Sequence, residues 1–132
     1  MTIQTTESDF DNYLPHNFLA EKMVLSCILT SSEAIEITIK NLSIEAFYFK
    51  NHQEIYKAII VLYESKRPID IITLTTFLQD NGLLKKIGGI KVLIELINQV
   101  PNLVHLEEYI RLIKDKYLRR SLIKLGYKAI NS

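Results

Sequence analysis

The chain has 132 residues, 48% of them hydrophobic, and a formal net charge of +1. A chain of this length forms at most one domain with a real core, and its near-neutral charge argues against a generic nucleic-acid coat. The single cysteine, Cys27, supplies no disulfide framework or zinc spacing and so indicates a reducing compartment, while no apolar run approaches the roughly 18 residues of a membrane span.

The N-terminal third is predicted to be a tail followed by two helices. Residues 1–13 are polar and acidic and are expected to be disordered. A second helix, capped by Ser31 or Ser32, is expected to run through Ile39 and to end near Asn41. The first helix is marked by a broad apolar face that predicts burial. That face comprises Phe18, Leu19, Met23, Val24, Leu25, Ile28 and Leu29.

The middle of the chain also has the helical period. A short turn is expected at residues 43–47, and the next helix has an apolar stripe of Ile55, Ala58, Ile59, Leu62 and Tyr63. Pro68 is expected to stop any helix before Thr73, which would cap the following one. The run at 69–72 is compatible with a short strand, but nothing nearby offers a partner strand. The predicted fold class is therefore all-α.

Three glycines in the stretch NGLLKKIGGIKVL raise the question of a phosphate-binding loop. A Walker A loop requires G-x-x-x-x-G-K-[ST] after a strand, whereas Gly82 and Gly88 are one residue too far apart and no Ser or Thr follows Lys91. Asn81-Gly82 instead fits a helix C-cap, and Gly88-Gly89 fits the entry to the next helix. The stretch is predicted to separate two helices.

A long helix is predicted from Leu103 to Ile130, because no helix breaker follows Pro101 and the capping Asn102 until Gly126. Its length would be about 40 Å at 1.5 Å per residue. A helix apolar on two sides needs two neighbours, so the upstream domain and either a return helix or another molecule are expected to cover it. The first half has one stripe, and the second half has two apolar faces. The stripe is Leu106, Tyr109, Ile110, Ile113 and Tyr117, and the two faces are Leu118, Leu122 and Leu125, and Ile123, Tyr127 and Ile130.

Short sequence pieces between Leu14 and Ile130 resemble the N-terminal domain of the DnaB family of replicative DNA helicases. Each piece is weak alone, but together they extend over about nine tenths of the chain at the family's spacing. In chain order they are Leu14-Pro15-His16-Asn17, Ala20-Glu21 with Val24-Leu25, Leu42-Ser43 with Phe47-Tyr48, His52 with Ile55-Tyr56 and Ala58, Pro68-Ile69-Asp70 with Thr73-Leu74, Ile87-Gly88-Gly89 with Leu93 and Leu96, Val100-Pro101, Tyr109 with Ile113, and Leu118-Arg119-Arg120 with Ile123.

The resemblance implies a helical head, residues 14–100, followed by the first arm of a helical hairpin, residues 101–132. In the family, hairpins pair between subunits, six heads form a collar on a ring of ATPase domains, and a DnaG-type primase docks on this collar. The second arm, the Walker motifs and the arginine finger would lie outside these residues. ATP, Mg²⁺, DNA contacts and unwinding would then belong to the parent enzyme, and no catalytic, cofactor or metal site is expected in this segment.

Several positions depart from the family pattern. Ser26 replaces a glycine, Ile44 a proline and His105 an asparagine. Val92 stands where the family often has an aromatic residue, and together with Ile123 it lies in the region that contacts primase. The resemblance therefore implies primase docking with one altered contact.

Protein-contacting residues are expected here instead of chemical groups. His16, His52 and His105 have no metal-ligand spacing, and Glu107 and Glu108 point about 100° apart on a helix and cannot share a substrate. The basic residues Arg111, Lys114, Lys116, Arg119, Arg120, Lys124 and Lys128 encircle the long helix and are interpreted as solvated charges or subunit contacts. The predicted interface residues are Tyr109, Ile113, Tyr117, Leu118, Leu122, Ile123 and Val92.

Two functional hypotheses follow. One is a collar and primase-docking module of a hexameric replicative helicase in the primosome, and the other is a stand-alone truncated helical adaptor that binds helicase or primase. A basic DNA-binding domain is less favoured because no recognition-helix pattern is present. Lysine outnumbers arginine twelve to four, a bias that favours an AT-rich genome in a plastid, or otherwise a bacterial cytoplasm. No membrane association is expected.

Overall fold

The computed structural model of the protein describes residues 14–131, so the predicted disordered tail at 1–13 lies outside the described residues. The described part of the chain is helical and has no strand, which confirms the all-α class. Its α-helices are α1 Phe18–Thr30, α2 Ser32–Asn41, α3 Lys50–Glu64, α4 Ile71–Asp80, α5 Ile90–Ile97 and α6 Leu106–Asn131, with 3₁₀ turns at Ile44–Ala46 and Leu103–His105.

Helix α1 is the centre of the fold and packs against α2, α3, α5 and α6. Its buried face includes Val24, Leu25 and Ile28, all at 1% exposure or less. The predicted face was wrong at its start, because Phe18 and Leu19 are 42% and 66% exposed. Ala20 and Glu21, which occupy the same helix side as the buried residues one and two turns later, take the inward positions instead.

The start of α4 corrects a second prediction. The helix begins at Ile71, and its N-cap is Asp70, whose side chain accepts a hydrogen bond from the backbone N–H of Thr73 at 2.8 Å. Thr73 is therefore the donor at the third helical position and not the cap. Pro68 lies outside the helix, and the run at 69–72 contains the first helical residues.

The glycine stretch separates α4 from α5, as predicted. Asn81 is the C-cap of α4, and Gly82 follows in the left-handed region at φ 70°. Gly89 is the N-cap of α5 with φ 84°. A Cβ on Gly88 would lie 2.7 Å from Cγ2 of Val92, so Gly88 allows the first turn of α5 to approach the loop closely.

Helix α6 is 26 residues long, which corresponds to about 39 Å. Its first half belongs to the core of the head, where Leu106, Ile110 and Ile113 are buried. In α6 no described residue beyond Arg120 is buried. The core of the head therefore continues past residue 100, the predicted boundary, and only the second half of α6 leaves it. No helix in the described part of the chain is both long enough and apolar enough to cross a bilayer.

Candidate protein-interaction surface

The second half of α6 presents apolar side chains to solvent. Leu118 and Leu122 are 59% and 58% exposed, and Leu125 follows one turn later with 66% exposure. These three residues share one side of the helix, which is turned by more than 90° from the side that Ile110 and Ile113 bury in the head. We call this stripe of three leucines the leucine face. The head does not cover it.

The other predicted interface residues do not lie on the leucine face. Ile113 is 2% exposed in the core of the head and has no surface to offer a partner, so its prediction is corrected to a core position. Tyr109 is partly buried, Tyr117 lies at the edge of the head, and Ile123 is 41% exposed. Val92 is partly buried on α5, which packs chiefly on α1 and α4, so it belongs to a different part of the head from the α6 residues.

Arg120 fixes the position where α6 leaves the head. Its side chain is 5% exposed and donates hydrogen bonds to the carbonyl oxygens of Pro15 at 2.9 Å and Ala46 at 2.8 Å. The guanidinium also lies over the rings of Tyr48 and Tyr117, at 5.3 and 5.7 Å from their centroids. Burial lowers the pKa of Arg120, and the nearby carboxylate of Glu21 opposes that shift.

The interpretation of Arg120 as a solvated charge was therefore wrong. It joins three segments that are far apart in the sequence, whereas Arg111 and Arg119 pair with acidic residues on α6 itself. A planar guanidinium can bind two carbonyl groups in fixed directions at once.

A second buried polar side chain, Glu21, lies near Arg120. The carboxylate of Glu21, at 1% exposure, accepts hydrogen bonds from the backbone N–H groups of Tyr48 at 2.8 Å and Phe49 at 3.4 Å. Nδ1 of His52 lies 2.9 Å from the same carboxylate, and both side chains are 2% exposed. Phe49 is the N-cap of α3 and provides no side-chain cap. Glu21 therefore binds, from another helix, the backbone N–H groups of the two residues that lead into α3.

The three histidines are separate, and no described group of three His, Cys, Asp or Glu side chains has the arrangement of a metal site. His52 has a structural role in the pair with Glu21. His16 stacks on Tyr48 with ring centroids 4.5 Å apart, and His105 is exposed beside Tyr109.

Sequence reasoning missed the functions of Glu21 and Arg120. A signal was present for Glu21, because a carboxylate at the inward position of an apolar helix requires a partner. For Arg120 the signal was that the apolar residues on the inward side of α6 stop after Ile113 and Tyr117. A charged residue, Arg120, stands where the next apolar residue would be expected.

Comparison with known proteins assigns this architecture to a family. A model of the "DnaB-like helicase N terminal domain" family matches residues 13–115. A probable replicative DNA helicase from Trieres chinensis is 68% identical over 132 residues, covering 100% of this chain and 29% of the relative. The replicative DNA helicase DnaB of Nostoc sp. is 37% identical over 126 residues, covering 95% of this chain and 14% of that protein.

Among solved structures, the N-terminal domain of DnaB helicase from Mycobacterium tuberculosis is similar to this fold. Its TM-score is 0.84 at 34% identity, over 89% of this chain and 85% of that domain. The chain thus spans less than a third of the length of the curated relatives named above, and matches nearly the whole of an isolated N-terminal domain.

Proposed function

The chain belongs to the DnaB-like helicase N-terminal domain family, and from this premise we propose that it assembles subunits of a replicative helicase and provides the docking surface for a DnaG-type primase. It is all-helical and similar to the N-terminal domain of replicative DNA helicases. The proposal adds that the subunits form a hexamer through paired helical arms. ATP and Mg²⁺ chemistry, DNA contacts and unwinding are assigned to other parts of such a helicase.

The observation that supports self-association is the leucine face. Complete burial of one leucine stabilises a contact by roughly 1.5–3 kcal/mol, and Leu118, Leu122 and Leu125 are each more than half exposed. Their 4- and 3-residue spacing is the spacing of a seam between two packed helices. A second helix on this seam would bury all three.

Sedimentation over a dilution series tests this assignment. Leu118→Ser with Leu122→Ser is expected to shift the full chain from an associated form toward a monomer without loss of helicity, because both side chains lie outside the core. A matched control is Ile72→Ser with Val104→Ser, which removes two comparably exposed side chains, at 75% and 83%, from other parts of the head. A chain that sediments as a monomer at every concentration would contradict self-association through this face.

Primase docking is supported by family membership and by the exposure of Ile123 on a different side of α6 from the leucine face. Titration of a labelled DnaG-type primase with the full chain is expected to give saturable binding that Ile123→Ser weakens and Ile72→Ser does not. The variant Val92→Tyr, which introduces the aromatic type common in the family, is expected to strengthen binding. Equal affinity for all four proteins would refute the assignment of these positions.

The plastid stroma is the compartment we propose, with a bacterial cytoplasm as the second candidate. The 68% identity to a diatom protein and the excess of lysine over arginine support the first, and the match to a Nostoc protein is compatible with either. Immunolocalisation against a plastid marker in the source cells tests the choice.

A further inference from the structure

A groove lies on the head between α3 and the connection that joins α4 to α5. Its volume is ≈ 320 Å³, at the lower end of the range of about 300–1,000 Å³ typical of binding clefts. A cleft of this size accommodates a few side chains of a partner and is small for a cofactor. Its lining residues come from α3, α4 and the connection and not from α6, so the groove is separate from the leucine face.

The floor of the groove is apolar. Ala58 lies between Glu54 and Val61 on one side of α3, at spacings of four and three residues, and its small side chain leaves a depression between them. Val61 is 39% exposed, and Phe77 of α4 and Leu83 of the connection are partly buried in the same lining. An apolar side chain of a partner would cover all three.

Two lysines line the groove from different elements. Lys57 belongs to α3 and Lys86 to the connection, and both are exposed. Neither forms a salt bridge or a side-chain hydrogen bond with another residue of the range 14–131. Among the described lining residues these two lysines accompany one glutamate, Glu54, which gives a net charge of +1. The exposed neighbours of the lining, Asp80 and Lys85, cancel each other.

The C-terminal end of α4 also borders the groove, at Asn81. The carbonyl groups at a helix C-terminus carry a partial negative charge, which would oppose an acidic ligand. Here the backbone N–H of Asn81 donates to the carbonyl of Phe77 at 3.1 Å, and that of Leu83 donates to the carbonyl of Leu78 at 2.7 Å. Because these acceptors are paired, the two lysines determine which charge the groove prefers, and a ligand for it should be acidic.

We propose that this groove binds an acidic amphipathic helix of a partner protein, with an apolar side chain against Val61 and Phe77 and carboxylates near Lys57 and Lys86. From residue 54 to residue 61 the groove follows about 10 Å of α3, the length of two turns of a helix that lies alongside. Such a complex would leave the leucine face free for another subunit. This inference does not rest on hexamer assembly or primase docking.

The probe is a fluorescein-labelled peptide with two repeats of the sequence Ala-Glu-Leu-Ala-Glu-Glu-Leu, which forms an acidic helix with one apolar stripe. Titration with the full chain at low salt, followed by fluorescence anisotropy, is expected to give saturable binding that weakens as salt is added, because the lysines are exposed. The same peptide with lysine in place of every glutamate should bind at least about tenfold more weakly, since like charges would then meet in the groove.

Charge reversal in the chain identifies the groove. Lys57→Glu with Lys86→Glu should lower the affinity for the acidic peptide by about tenfold, on the order expected when two exposed ion pairs become repulsions. The matched control is Lys40→Glu with Lys91→Glu, which reverses two exposed lysines outside the groove and changes the net charge equally. The control should bind like the parent chain.

Substitution of the floor tests the apolar contact. Val61→Ser should weaken binding, whereas Ile37→Ser, which removes a side chain of nearly equal exposure from α2 (37% against 39%), should not. Leu118→Ser with Leu122→Ser should also bind the peptide like the parent chain. Circular dichroism of each variant shows that the fold is retained, because all of these positions are exposed.

Three results would overturn the proposal. Absence of saturable binding, or equal affinity of the parent chain and the Lys57→Glu, Lys86→Glu variant, would mean that the lysines are solvated charges. Loss of binding in the leucine-face variant instead would mean that the peptide pairs with α6. A single-stranded DNA oligonucleotide that displaces the labelled peptide at a lower concentration than unlabelled peptide does would assign the groove to nucleic acid.

Discussion

Replacement of Glu21 by alanine is the most demanding test of how this fold is held together. The change removes an acceptor for the N–H groups of Tyr48 and Phe49 and the partner of His52, all in a region where the carboxylate is 1% exposed. Each buried donor left without a partner costs about 1–3 kcal/mol, and the change leaves the N–H groups of Tyr48 and Phe49 and the Nδ1 atom of His52 without this acceptor. These contributions overlap, so we expect Glu21→Ala to lower the free energy of unfolding by about 3–5 kcal/mol.

Urea unfolding followed by circular dichroism measures this loss. Glu21→Gln is the informative companion variant, because its amide oxygen can still accept one backbone N–H while the charge is gone, and we expect it to be less destabilising. A double-mutant cycle with His52→Ala isolates the contribution of the pair. If the free energy of unfolding of Glu21→Ala is within about 1 kcal/mol of that of the parent chain, below the cost of one unpaired buried donor, then Glu21 does not hold the backbone at the start of α3 and the reasoning fails.

Three further outcomes are expected from single side chains in urea unfolding. Burial raises the pKa of Tyr56 from 10.0 to about 12, and its hydroxyl donates to the carbonyl of Leu42, so the folded state retains a proton that the unfolded state loses. Stability should therefore be complete below pH 10 and fall by roughly 2–3 kcal/mol between pH 10 and 12, and Tyr56→Phe should lack this part of the decline while being less stable at pH 8. Ser26→Ala should stabilise the chain by about 1 kcal/mol, because the buried Ser26 hydroxyl has no hydrogen-bond partner among the described residues, and a destabilised variant would contradict this. Asp70→Ala should lower the free energy of unfolding by about 1 kcal/mol, because α4 loses its N-cap. The hydrogen bond from Thr73 lowers the pKa of Asp70 from its ordinary 3.8. The contribution of the cap to stability is therefore present above pH 3.8 and is lost as the pH falls through the lowered pKa.

The sequence predicted the features that depend on local spacing. The 3.6-residue spacing of apolar residues located α3 and α6. The glycines, which disfavour a continuous helix, located the break between α4 and α5. These inferences need only the 3.6-residue period and the conformational freedom of Gly82 and Gly89. The family resemblance used the same residues and led to the same all-α fold.

Predictions failed where two assignments satisfy the local sequence pattern equally well and tertiary contacts decide between them. Both Asp70 and Thr73 are good caps, and the observed bond runs from Thr73 to Asp70. Phe18 and Leu19 satisfy an apolar period as well as Ala20 does, but the helices that pack on α1 leave them exposed. Ile113 was assigned to an interface because spacing cannot distinguish an apolar stripe that faces the head from one that faces a partner.

Helix α6 buries its first half in the core and leaves its second half exposed, so the contacts at the position where it leaves the head contribute to the direction of the exposed half. Past Ile113 the inward side of α6 has no further aliphatic residue to hold it, and the leucine face points elsewhere. Arg120 supplies the constraint, since its two hydrogen bonds go to carbonyl groups of Pro15 and Ala46, in segments that precede and follow α1 and α2. These hydrogen bonds hold α6 to the head at this position without covering Leu118 and Leu122, which stay exposed. The buried charge is thus better explained by the direction it gives to the arm than by any gain in stability over an apolar side chain.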